Sequence, residues 1–123
     1  MTFAQAMRQV GYEYELVKCG HESFLFQTRE QWTDGANLFA IAPGVLLGYD
    51  RNEETIKALK ARQQKYDYLN ALDHKKEIDK IAEDFRKNTT TERRIIIGLP
   101  GSELSRARGG PRCMTMPLQR DRL

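Results

Sequence analysis

Two apolar runs meet at a Pro-Gly pair: Leu38-Phe-Ala-Ile-Ala42, then Pro43-Gly44, then Val45-Leu-Leu-Gly-Tyr49. Short apolar runs on either side of strong turn residues read as a β-hairpin. Both runs are apolar almost throughout, which predicts a central hairpin buried on both faces. A polar closure follows at Asp50-Arg-Asn52. Asn52 is placed to cap a helix that opens with Glu53 and Glu54, where the helix dipole favours negative charge. Ile56, Leu59, Tyr66, Leu69, Leu72, Ile78, Ile81 and Phe85 then mark an apolar stripe, predicting helix from Glu53 to about Lys87 with a bend, or a break into two helices, at Asp73-His-Lys-Lys76. Arg94-Ile-Ile-Ile-Gly-Leu99 reads as the last clear strand, and Met114 to Leu118 as a short edge strand.

Ahead of the hairpin, Thr2 to Val10 has helical spacing at Phe3, Met7 and Val10, with Gly11 to end it. Tyr12-Glu-Tyr-Glu-Leu-Val-Lys18 alternates and reads as a strand. Phe24-Leu-Phe-Gln-Thr28 is compatible with a short strand or a loop. Asp34-Gly35 carries turn chemistry. The order describes an α/β domain built on one β-β-α-β unit, with a mixed sheet and helices on one side. At 123 residues, 1–123 is expected to be a single domain.

The strand at Arg94–Leu99 leads into Gly101-Ser-Glu-Leu-Ser-Arg-Ala-Arg-Gly-Gly-Pro-Arg-Cys-Met-Thr-Met-Pro117. Arg106, Arg108 and Arg112 lie within seven positions of Cys113. Nearby cations favour thiolate over thiol, and the thiolate is the nucleophile. Cys19 reads as a half-buried structural thiol. His21 beside it suggests a metal pair, but zinc generally needs three or four protein ligands and none are close in sequence. No metal or other cofactor is expected. The net charge of +3 is mild, and the basic tail has no interleaved aromatic residues, so no nucleic-acid partner is expected. No apolar run approaches the ~20 residues of a membrane span. The N-terminus lacks the long apolar centre of a secretory signal, and two cysteines without one point to a cytoplasmic protein with free thiols.

Gln31-Trp-Thr-Asp-Gly-Ala-Asn37, Leu38-Phe-Ala-Ile-Ala-Pro-Gly-Val45, Tyr49-Asp-Arg-Asn52 and the Gly101–Pro117 stretch resemble, in order and spacing, the C-terminal part of bacterial arginine deiminases. The resemblance covers roughly Tyr14 to Leu59 and Ile95 to the end. It implies one β-β-α-β module of a five-module propeller, and hydrolysis of L-arginine or a related guanidine to citrulline and ammonia. It implies that Cys113 is the nucleophile, that Arg108 grips the substrate carboxylate, and that Ala107 helps line the substrate site where the family usually has glycine. The family's histidine sits in a His-x-Asp motif, which neither His21 nor His74 matches. Residues 62–91 read as a charged helical insertion without a family counterpart. The chain is therefore expected to be a truncated form inactive alone, or one half of a split enzyme whose N-terminal part is separately encoded. The alternative is a non-catalytic interaction module. Because a lone module leaves sheet edges uncovered, a homo-oligomer is expected.

Overall fold

In a computed structural model, residues 1–62, 65–87, 93–107 and 109–119 are described. The elements in order are α1 (Phe3–Gln9), α2 (Phe24–Trp32), β1 (Phe39–Ala42), β2 (Val45–Tyr49), α3 (Glu53–Lys60), β3 (Asp67–Asn70), α4 (Lys75–Arg86), β4 (Ile95–Leu99) and α5 (Ser102–Arg106). The four strands form one mixed sheet in the order β1-β2-β4-β3. β1 and β2 are the expected antiparallel hairpin, while β4 runs parallel to both of its neighbours.

The hairpin is central on one side only. β2 lies between β1 and β4, but β1 is an edge strand, and Ile41 on it is exposed. The fully buried centre is instead the Ile95-Ile96-Ile97 run of β4, flanked by strands on both sides. A continuous β-branched run suits a strand covered on both faces.

The helix predicted from Glu53 to Lys87 is replaced by α3, β3 and α4. Tyr66, Leu69 and Leu72 fit a helical stripe, yet Leu69 pairs beside Ile97 in the sheet. Asn70 then turns the chain: its Oδ1 accepts from the backbone N–H of Leu72 at 2.9 Å. The described part of 62–91 is thus strand and helix, not helix alone.

The helices also lie on both faces, not one. Val45, Leu69, Ile95 and Ile97 form a buried cluster, and Ile78, Ile81 and Phe85 of α4 pack on it. Tyr68 and Asn70 alternate with Leu69, so they face the other way, where they border Ile56, Lys57 and Lys60 of α3. The path explains this. From β2 the chain moves outward past β4 to β3, then back to β4. Parallel crossovers are right-handed, so reversing the direction of travel puts the second helix on the opposite face.

Three further expectations change. Tyr12–Lys18 forms no strand among the described residues, although Tyr12 and Tyr14 stack at 5.8 Å as i, i+2 neighbours of an extended chain do. It has the alternation of a strand without a partner strand among the described residues. Phe24–Thr28 is neither strand nor loop but the first half of α2, where Gln27, Arg29, Glu30 and Gln31 are good helix formers. Met114 to Leu118 forms no edge strand.

Asn52 precedes α3, but its side chain does not cap it. Its Nδ2 donates to the Thr33 carbonyl at 3.0 Å instead. The cap comes from α2. The fully buried carboxylate of Glu30 accepts from the backbone N–H groups of Glu54 (2.9 Å) and Thr55 (2.8 Å), and from the Thr55 hydroxyl (2.7 Å). Unpaired helix N–H groups and the positive end of the helix dipole hold that buried charge. α2 and the turn after it are thereby fixed to the helix that follows β2.

Candidate active site

β2 and β4 run parallel and end together at Tyr49 and Leu99. Ligand sites of α/β sheets sit beyond the carboxyl ends of such strands. The Cys113 loop leaves from this end of β4, and the loop's backbone closes against Tyr49. A Cβ on Gly101 would fall 2.0 Å from the Tyr49 ring, so only glycine lets the chain pass there. The Tyr49 hydroxyl donates to the carbonyl of Gly109. Burial, ahead of the Asp34 and Cys113 charges, pushes the Tyr49 phenol up, which keeps it a neutral donor.

The turn after α2 meets the same loop. Asp34 has a left-handed backbone (φ +58°), and its carbonyl accepts from the Asn37 N–H at 3.0 Å. This brings the Asn37 amide to the Cys113 sulfur, with Nδ2 2.8 Å from Sγ. A Cβ on Gly110 would lie 2.4 Å from the Asn37 Cγ and Nδ2, so the loop backbone packs directly on that amide.

Around this contact lies a cavity of about 650 Å³, lined by Lys18, Cys19, Gln27, Gln31, Asp34, Ala36, Asn37, Arg112 and Cys113. Cys113 is exposed and reduced. Cys19 is reduced too and half-buried, and burial is the main force pushing its thiol up, opposed by its hydrogen bond to Thr55. Of the two sulfurs, Cys113 is thus the accessible one. The Oδ2 of Asp34 is buried without a hydrogen-bond partner among the described residues, an acceptor at the cavity wall.

The other residues singled out in the sequence fall as follows. Arg112 lines the cavity, whereas Arg106 pairs with Glu103 at 3.3 Å. Ala107 ends α5, is exposed, and is not among the described cavity-lining residues. Arg108 lies outside the described residues. His21 borders a different hollow with Lys18, Glu22 and Arg62, and His74 contacts Asn70. Neither histidine lines the cavity beside Cys113.

In the sequence Asn37 stands in a family motif that the Asp34-Gly35 turn explains without chemistry, and nothing there sets it beside Cys113. Sequence reasoning also missed Gln27 and Gln31, whose i, i+4 spacing puts them on one face of α2 once that helix is recognised.

The arginine deiminase family model matches residues 2–120. The chain belongs to the arginine deiminase family. An arginine deiminase of Listeria welshimeri is 38% identical over 111 residues, which is 90% of this chain and 20% of that protein. One from Borreliella afzelii is 38% identical over 112 residues, again 20% of its length. One from Listeria monocytogenes serotype 4a is 37% identical over 111 residues. The chain therefore spans about one-fifth of the length of the curated relatives it matches. The arginine deiminase match runs through both the hairpin and the Cys113 loop.

Proposed function

We propose that this chain is the cysteine-bearing module of an arginine-hydrolysing site, with Cys113 as nucleophile. The observation that carries the reading is the accessible Cys113 sulfur, held by Asn37 in a cavity lined largely by polar residues within a chain of this family. The sulfur attacks the guanidinium carbon of L-arginine. A C–S bond forms, a C–N bond breaks, and ammonia leaves with a proton from a general acid. Water then adds to the thiouronium carbon, the C–S bond breaks, and citrulline departs while the thiolate returns. Arg108 and Ala107 belong to this reading by their place in the family motif, Arg108 as the two-pronged donor for the substrate carboxylate.

The proton transfers need a general acid–base, and the guanidinium needs carboxylates. Among the described residues lining the cavity, Asp34 is the one carboxylate and there is no histidine. The chain alone is thus expected to be inactive and to act with the remainder of the family's site on another polypeptide segment. To test this, purified chain is incubated with arginine alone or with the part of the L. welshimeri relative outside the match. Citrulline only in the mixture supports the reading; turnover by the chain alone would sink it.

A second reading, an interaction module that assembles without catalysis, draws on the exposed apolar side chains near the N-terminus. Phe3, Val10, Tyr12, Tyr14, Leu16, Phe24, Leu25 and Trp32 are all exposed. Exposed apolar side chains in this number are what a covering chain would bury. Light scattering tests it: a homo-oligomer is expected, and a monomer would exclude self-assembly.

A further inference from the structure

We propose that Asn37 is the positioning residue for the Cys113 sulfur, its side-chain N–H holding the anionic form of that sulfur at the cavity mouth. The inference rests on Cys113 being the nucleophile. It supplies what the arginine-rich loop was expected to supply, but from a different part of the chain.

The geometry is specific. The Asn37 Nδ2 lies 2.8 Å from Sγ. The side chain has little freedom, because the Asn37 backbone N–H donates to the Asp34 carbonyl and the Gly110 backbone packs on the side-chain amide. A donor fixed in advance stabilises an anion without having to reorganise. Among the described residues, the other charged or titratable groups around the sulfur are Arg112, Lys18, Asp34, Cys19 and Tyr49. Arg112 is exposed, so its charge is screened by water, whereas Asn37 makes direct contact. Asn37 acts at both ends of the proposed reaction. It raises the share of sulfur present as thiolate before attack. It also stabilises the thiolate that leaves when the C–S bond breaks.

An amide with its carbonyl oxygen toward the sulfur would do the opposite, accepting from S–H and holding the thiol. The direction of the effect decides between the two. The experiment follows iodoacetamide alkylation of the intact chain against pH, with Cys113 and Cys19 resolved by peptide mass spectrometry. In Asn37→Ala the midpoint of the Cys113 profile is expected to move to higher pH by about half to one unit, making alkylation about three- to tenfold slower at pH 7. Asn37→Asp, nearly isosteric, sets a carboxylate beside the sulfur and is expected to move it further the same way. The Cys19 profile, in the same samples, should stay put. A Cys113 profile that is unchanged or moves to lower pH in both variants, with Cys19 unmoved, overturns the proposal. Because alkylation needs no turnover, a failure here is distinct from a failure to form citrulline.

Discussion

The Asn37 amide and the Cys113 sulfur, 76 positions apart in the chain, meet at 2.8 Å. The contact ties the turn after α2 to the loop after β4, and the glycine at 110 makes it possible. Gly110→Ala would drive a methyl group to within 2.4 Å of the amide. It should therefore slow Cys113 alkylation in the same direction as Asn37→Ala. Among the described residues, Gly109→Ala would meet only the flexible Met114 side chain, at 3.0 Å, and should leave the alkylation rate within about twofold of wild type.

Tyr49 anchors the base of the same loop. Tyr49→Phe removes the donor to Gly109 and should cost about 1 kcal/mol in urea unfolding. Gly101→Ala forces a methyl group into the buried Tyr49 ring and should cost more, about 2–3 kcal/mol. Equal midpoints for wild type and both variants would mean that Tyr49 does not hold the loop.

Glu30 is expected to matter for stability rather than chemistry. Glu30→Ala leaves the N–H groups of Glu54 and Thr55 without their carboxylate partner inside the protein. A loss of about 3 kcal/mol in urea unfolding is expected. Glu30→Gln keeps one acceptor oxygen and should lose less. No loss in Glu30→Ala would show that water serves the helix end equally well.

Alkali should weaken the fold. Burial is the largest cause raising the Cys19, Tyr49 and Tyr68 groups, so each ionises at higher pH folded than unfolded. Above the ordinary ionisation range of cysteine, about pH 8.5, the unfolded chain therefore holds fewer protons than the native one. Stability then falls as pH rises, first through Cys19 and then through the tyrosines. The urea midpoint is expected to drop from pH 8 to pH 10, and less steeply in Cys19→Ser. A flat profile would contradict the burial of these groups.

The hairpin, the closing strand and the first helix were readable because their signals are local. Pro43-Gly44 sets a turn, Ile95-Ile96-Ile97 is β-branched throughout, and Phe3 and Met7 carry the helical spacing of α1. What could not be read depends on partners. Leu69 became a strand residue because β4 offered an edge. Tyr12–Lys18 has a strand's alternation but, among the described residues, no strand beside it. Nothing in the sequence marks Glu30 for burial; the arriving N-terminus of α3, with Arg29 beside it, supplies the partners of its carboxylate. The nucleophile candidate was visible from family motifs, while the amide beside it needed the fold.

The most direct measurement of the central claim is a covalent trap. The chain, mixed with the complementary part of a relative, is given arginine and quenched in acid, and its peptides are weighed. The account predicts a substrate-derived adduct on the Cys113 peptide, absent from Cys113→Ala, which should also form no citrulline. Citrulline formed by Cys113→Ala, or an adduct only on Cys19, would contradict it.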